Sequence, residues 1–183
     1  MFNSSLRLLG AATMLVLMVA CSPSLDWREM SAADGSVRVA FPAKPRSETR
    51  PLPVEGRELP FTLTAATVKG AVFAVGYLDL PANVADDTEK REAYRRALED
   101  SLTRNLQAGD VHREQVPVRR VAGSSTLQAD ELELHGEPAG EPAWLLARIL
   151  LVNDRLIEVA AVGTESALSN ETARTFVDSL RVY

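Results

Sequence analysis

Hydrophobic and polar positions alternate along much of the chain, and this period of two predicts β-strands. In SVRVAFP, Val37, Val39 and Phe41 alternate with smaller or polar residues, so one face of that strand should be buried. LPFTLTAATV and AVFAVGYLDLP are predicted to be two strands joined by a tight turn at Lys69 and Gly70. The second of them is apolar on both faces, which is typical of a central strand.

The second half of the chain contains two more predicted strand pairs. VHREQVPVRRVAG and STLQADELELHG meet around Gly123, and AWLLARILLV and RLIEVAAVG form the most apolar hairpin, closed by Asn153 and Asp154. The stretch AKPRSETRPLPVEG, which follows the first strand, is rich in proline and charge. We therefore predict that it is an extended loop.

Two segments have apolar residues at the three-to-four-residue spacing of amphipathic helices. The first, DDTEKREAYRRALEDSLTRNLQAG, should begin after a cap at Asp86 or Asp87 and stop at Gly109. Its apolar stripe consists of Tyr94, Leu98, Leu102 and Leu106. The second, NETARTFVDSL, should begin after a cap at Ser169.

The order of these elements predicts the class of fold. About three strands, a helix, about four strands and a second helix follow one another, and most turns between strands are too short for a parallel crossover. We therefore predict a single α+β domain over residues 27–183, with a mainly antiparallel β-sheet covered by two main α-helices.

The first 20 residues have the composition of an export signal. Arg7 is their only charged side chain, and LLGAATMLVLMVA follows it without a charge. A membrane-spanning helix needs roughly 20 apolar residues, and this run is shorter. We predict that residues 1–20 are a cleaved signal peptide.

The end of that run resembles the lipobox of bacterial lipoproteins, in which a small residue and then Ala or Gly precede a modified cysteine. The stretch here is Met18-Val19-Ala20-Cys21, and Cys21 is the only cysteine of the chain. The resemblance implies cleavage after Ala20, transfer of a diacylglyceryl group to the Cys21 sulfur, and a lipidated tether over residues 21–26. Two or three acyl chains anchor a protein stably, whereas one chain anchors it marginally.

Two alternatives to lipidation stay open from the sequence. Ordinary signal peptidase could cut after Ser24 and release a soluble protein, or the segment could stay uncleaved as an anchor. If Cys21 is lipidated, the next residue bears on location, because Asp there resembles an inner-membrane retention signal in some bacteria. Ser22 differs from that signal, so we expect the periplasmic face of the outer membrane.

The layout of the mature chain resembles PsbP-like domains. The resemblance is carried by DGSVRVAFPAKP, AVFAVGYLDLP, the long helix, the hairpin LLARILLVNDRLIEVAAVG and the terminal ARTFVDSLRV, in that order and spacing. It implies an α/β/α sandwich built on an antiparallel sheet, in a protein that acts as an accessory to other proteins. It brings no shared catalytic residues.

Charge and composition exclude some partners. The formal net charge is −5, so the chain has no basic excess with which to bind phosphates, and we expect no nucleic-acid partner. The single cysteine leaves no internal disulfide, and lipidation would use its thiol.

The side chains that carry chemistry do not form a recognisable catalytic or metal-binding pattern. His112 and His135 have no second ligand at metal spacing, although Glu137 and Glu141 lie near His135 in the sequence. Glu131 and Glu133 share a strand face, but they alternate with leucines as in a half-exposed strand. The sequence therefore predicts no metal and no cofactor.

Neither the remaining polar side chains nor the tryptophans add a candidate activity. GSS, at residues 123–125, lacks the flanking glycines of a nucleophile elbow, and Trp27 and Trp144 are interpreted as core or rim aromatics. We expect a non-enzymatic, lipid-anchored envelope protein with an accessory or assembly role and an envelope protein as its partner. The alternative is a binding module that holds a small or apolar ligand between sheet and helix.

Overall fold

The computed structural model describes residues 25–54 and 56–183, and most of this range is β-strand. Strands account for 54% of the described residues and helices for 22%. The strands are β1 (Arg28–Ala32), β2 (Val37–Phe41), β3 (Arg46–Val54), β4 (Arg57–Val68), β5 (Ala71–Asp79), β6 (Ala108–Arg119), β7 (Thr126–Gly136), β8 (Ala143–Val152), β9 (Arg155–Thr164) and β10 (Arg181–Val182). The helices are α1 (Ala82–Ala85), α2 (Thr88–Leu106) and α3 (Asn170–Asp178).

The larger sheet has seven strands in the order β3-β4-β5-β9-β8-β7-β6, and every neighbouring pair is antiparallel. The predicted hairpins β4–β5 and β8–β9 are confirmed, with Lys69 and Asn153 in the left-handed region of the tight turns. β5 is flanked by β4 and β9, which confirms its predicted interior position.

The smaller sheet has three strands in the order β1-β2-β10. β2 is the predicted SVRVAF strand, and it pairs with β1 on one side and with β10 on the other. The sequence does not predict β1 or β10. β1 is exposed at four of its five positions and β10 has two residues, so neither contains a usable alternation of buried and exposed side chains.

The predicted α+β class, one sheet covered by two main helices, is therefore wrong. The described residues form a mainly β fold, a β-sandwich of two sheets with ten strands and three α-helices. The physical reason is that a second sheet, not predicted, takes up part of the apolar surface that the sequence-based fold assigned to helices alone.

The first core lies between the large sheet, the small sheet and α3. It includes Val37 and Val39 of β2, Phe73 of β5 and Phe176 of α3, all buried. The ring centroids of Phe73 and Phe176 are 5.4 Å apart in an edge-to-face arrangement. Trp27 packs edge-on against Phe73 with its centroid 6.1 Å away, so the chain next to the predicted tether is docked on this core.

The second core lies on the opposite face of the large sheet, beneath α2. The predicted stripe of α2 is buried there, because its side chains pack against Leu132 and Leu134 of β7. Asp87 rather than Asp86 caps the helix, accepting a hydrogen bond from the backbone N–H of Lys90 at 3.1 Å. The predicted stop at Gly109 is wrong, since Gln107 takes the left-handed conformation and β6 begins at Ala108.

The proline-rich stretch predicted as a loop forms β3, an edge strand of the large sheet. Pro51 lies opposite Pro60 and Pro53 opposite Glu58 in the register with β4. Proline has no N–H to donate, so it is tolerated at a sheet edge, where one side of the strand has no partner. A proline-rich sequence can therefore form this edge strand, but its prolines do not allow the strand to be predicted.

Candidate functional site

A groove of about 260 Å³ lies between the C-terminal end of α2 and the large sheet. Most of its walls are apolar, and three polar side chains reach it from β3, α2 and β9. We call it the α2 groove. It is lined by Arg50, Leu63, Val72, Ala74, Leu102, Asn105, Leu106, Pro138, Leu145, Glu158, Ala160 and Val162.

Glu158 is the unusual member of this lining, because it is a carboxyl group in the middle of a central apolar strand. Its residue is 5% exposed, and its neighbours across the sheet are Gly76 of β5 and Ile149 of β8. Among the described residues none donates a hydrogen bond to its carboxyl group, and the charge that acts on it is that of Arg50. The side chain opens onto the cavity, because its oxygen atoms are not among the fully enclosed polar atoms that lack a partner in the described chain.

The surroundings of Glu158 change its acidity. Burial removes water from the carboxylate and raises the pKa of Glu158 to about 7, and the positive charge of Arg50 opposes that rise. Glu158 therefore changes its protonation state near neutral pH, which an exposed glutamate does not do.

The register of the sheet places the ring of Phe61 over the position directly opposite Glu158. Gly76, directly opposite, has no side chain, and the ring of Phe61 covers its backbone. A Cβ atom built on Gly76 would lie 2.2 Å from Cζ of Phe61, so only glycine fits under that ring. Arg50 is exposed on β3 and lies opposite Phe61 in the register with β4, which places it at the edge of the same face.

Ion pairs fix α2 above this face of the sheet. Glu99 of α2 is buried and accepts a hydrogen bond from Nε of Arg113 on β6 at 2.7 Å. Nη1 of Arg95 lies 3.2 Å from Oε2 of Glu99 and 3.3 Å from Oδ2 of Asp130 on β7. These contacts hold the helix that forms one wall of the α2 groove.

A larger cavity of about 410 Å³ lies near the N-terminal half of α2, but the charged groups that line it already have partners. Arg95 lines it and is hydrogen-bonded to Glu92, with Nε 2.8 Å from Oε2. Asp130, also in its lining, is paired with the same arginine. The α2 groove differs in holding a buried polar group that lacks a partner within the described chain, so we take it as the candidate site.

Glu131 belongs to a separate buried ion-pair cluster on the other face of the sheet. Its carboxylate accepts hydrogen bonds from Nε of Arg148 at 2.7 Å and from Nη1 of Arg174 at 2.8 Å. Arg148 also contacts the carboxylate of Asp178 on α3. Burial alone would raise the pKa of Glu131, but the hydrogen bonds from the two arginines outweigh it and hold the pKa below its ordinary value.

This cluster corrects the interpretation of Glu131 and Glu133 as residues of a half-exposed strand. They do share a face, but Glu131 is 2% exposed and ties β7 and β8 to α3. Glu133 is partly buried and lies 3.2 Å from Nε2 of His135. The hydrogen bonds of Glu131 hold elements together, which is a structural role.

The two histidines lie on one face of the β6–β7 pair, since His112 is opposite Glu133 and His135 follows Glu133 by two residues. His112 is exposed on β6, and the ring of His135 stacks on Trp144 with centroids 6.2 Å apart. Trp144 is buried and donates its indole N–H to the carbonyl oxygen of Leu168 at 2.9 Å. Within residues 25–54 and 56–183, no cluster of three or more His, Cys, Asp or Glu side chains is arranged to hold a metal ion.

The predicted lipidation and cleavage residues, Cys21 and Ala20, lie outside the described residues, as does the signal peptide over residues 1–20. The helices of the described part are all too short or too polar to span a bilayer. No protein-family model matches the sequence, and no curated protein matches it significantly. The resemblance to PsbP-like domains thus stays a prediction, but the α/β/α sandwich that it implies is wrong, because two sheets pack together in the described residues.

Sequence reasoning missed Glu158 and Arg50 as site residues. The available signal was a single acidic residue, Glu158, inside the apolar run RLIEVAAV. The alternation of the strand puts its side chain on the same face as Leu156 and Ala160. Arg148 in AWLLARILLV gives the same signal. Arg148 finds carboxylate partners and Glu158 does not, and this difference depends on neighbours that are distant in the sequence.

Proposed function

We propose that this protein is a lipid-anchored binding module of the cell envelope that holds a small apolar ligand in the α2 groove. The observation that carries the proposal is the groove itself, with apolar walls around a buried carboxyl group that lacks a donor from the described chain. Ligand sites of this type combine apolar walls with a few placed polar groups. In this proposal the protein binds its ligand and does not transform it.

The envelope location in this proposal depends on the sequence around Cys21. The apolar run that ends in Met18-Val19-Ala20-Cys21 supports cleavage after Ala20 and acylation of the cysteine. The tether of residues 21–26 would then connect the acyl chains to the folded domain. We propose the periplasmic face of the outer membrane as the site of the anchor.

The structure supports the ligand-binding role more than the accessory role, although the sequence favours the accessory role. An accessory protein should expose an apolar patch of several hundred Å² to its partner. Within the described chain, the exposed large hydrophobic side chains are Met30 and Tyr183, at opposite edges of the small sheet. An envelope protein partner therefore stays a prediction without a surface assigned to it.

Binding of a small alcohol tests the proposal. The full-length chain carrying Cys21→Ser is used, so that no acyl chain competes for the groove, and hexanol is titrated by calorimetry. We expect saturable binding with one site. Ala160→Leu should weaken it about tenfold or more, because the added side chain fills a wall of the α2 groove.

The matched control is Ala122→Leu, which makes the same change at an exposed bend between β6 and β7. Hexanol binding should be unchanged in that variant, and thermal melting should show that both variants fold. Absence of saturable binding both of hexanol and of the amine and carboxylate with the same alkyl chain would contradict the proposal. Equal binding by the Ala160→Leu and Ala122→Leu variants would contradict the assignment to this groove.

A further inference from the structure

We propose that the ligand of the α2 groove carries a primary ammonium group, which binds against the carboxylate of Glu158 while its apolar part lies along the groove walls. This inference rests on the proposed ligand-binding function and adds the chemistry of the ligand's polar end. The geometry behind it is a buried, unpaired carboxyl group that lines the cavity.

The position of Glu158 allows a ligand to reach it. The residue is on β9, in the middle of the large sheet, and its two cross-strand neighbours are Gly76 and Ile149. Neither neighbour has a polar side chain that could meet the needs of a carboxylate. The cavity lies on the side of the sheet to which Glu158 points, so a molecule in the cavity can supply the missing donor.

The carboxylate also determines which chemical group fits best. An ionised carboxylate only accepts hydrogen bonds, and an ammonium group supplies three donors together with the opposite charge. In apolar surroundings such a charge-assisted hydrogen bond is stronger than one to a neutral hydroxyl group. A ligand with an ammonium group would therefore satisfy a buried acceptor that the described chain leaves without a donor.

Arg50 is the other charged group facing the α2 groove. The remaining lining residues from β4, β5, α2, β8 and β9 are uncharged, and Asn105 of α2 is the polar one among them. Arg50 is exposed on the edge strand β3, where water screens its charge, whereas Glu158 is 5% exposed. The buried carboxylate therefore outweighs Arg50 in selecting the charge of a ligand.

Three probes with the same apolar chain test this choice: hexylamine, hexanol and hexanoate. They are titrated into the full-length Cys21→Ser chain at about pH 8.5. Glu158 is ionised there, because this pH is above its pKa of about 7. We expect hexylamine to bind about tenfold tighter than hexanol, and hexanoate to bind most weakly. Between about pH 5.5 and about pH 8.5 the affinity for hexylamine should rise about thirtyfold, while that for hexanol changes little.

Two substitutions separate the role of Glu158 from a general effect of charge. Glu158→Gln keeps the shape but loses the negative charge, so hexylamine should lose both its advantage over hexanol and its pH dependence. Glu114→Gln removes an equal charge from an exposed position on the edge strand β6, and it should leave the order of the three probes unchanged.

The outcomes distinguish failure of this inference from failure of the proposed function. Equal, pH-independent binding of hexylamine and hexanol would overturn the ammonium inference but leave a groove for apolar ligands. Tightest binding of hexanoate would also overturn it, since Arg50 would then select the ligand. Binding of none of the three probes would contradict the proposed function as well.

Discussion

Glu158 occupies a position where the alternation of β9 calls for an apolar side chain, and this has a consequence for stability. Because burial raises its pKa from 4.5 to about 7, folding favours the protonated form. Below about pH 4.5 the folded and unfolded states are both protonated at this residue, and Glu158 imposes no charge penalty. As the pH rises from about 4.5 to about 7, the unfolded state ionises while the folded state keeps its proton, so the folded protein loses about 3 kcal/mol, and above pH 7 this loss stays constant.

Glu158→Gln should therefore be more stable than the unsubstituted protein at about pH 8.5, with the advantage disappearing below about pH 4.5. Urea unfolding of both proteins across this range measures the difference in free energy of unfolding. Glu114→Gln is the matched control, because it makes the same change at an exposed position on the edge strand β6. A stability difference that stays constant with pH would show that the Glu158 carboxyl group is not held in a dehydrated site.

At the scale of single elements, α3 depends on its first turn to cover the first core. Ser169 accepts a hydrogen bond from the backbone N–H of Thr172 at 3.2 Å, as the sequence predicts for a cap. Ser169→Ala removes this acceptor and should lower the free energy of unfolding by about 1 kcal/mol. Denaturant titration measures the loss.

Ser169→Asp keeps an acceptor at the same position and should retain most of the stability. Ser166→Ala, three residues earlier and outside the helix, removes an exposed hydroxyl group and should cost less. If Ser166→Ala and Ser169→Ala lower stability equally, the cap contributes nothing specific to α3.

The same elements show how far the sequence determines the fold. The hairpins β4–β5 and β8–β9 are predictable because long apolar strands flank two-residue turns. β3 is not, because its prolines resemble loop signals and only the position at a sheet edge makes them acceptable. β10 is not, since two residues contain no pattern and its pairing with β2 joins distant parts of the chain.

The candidate site was less accessible to sequence reasoning than the hairpins. A charged residue in an apolar strand indicates an unusual position, but Arg148 and Glu158 give similar local signals. The first is paired with Glu131 and Asp178, and the second faces a cavity. Which of these happens is decided by the order of strands in the sheet and by the helix above each face.

At the scale of the whole molecule, the proposed function requires that a folded, water-exposed domain be held at a membrane by acyl chains on Cys21. Cys21→Ser removes the thiol that lipidation requires, and we expect most of the protein to move from the membrane fraction to the soluble fraction. Ser22→Ala changes the neighbouring side chain but keeps the thiol, and it should leave the protein with the membranes. Cell fractionation with quantitative detection measures the distribution, and mass spectrometry of the N-terminal peptide should find an acylated Cys21 in the unsubstituted protein. If the Cys21→Ser protein sediments with the membranes as before, the attachment does not depend on this sulfur and the anchor has to be sought elsewhere in the chain.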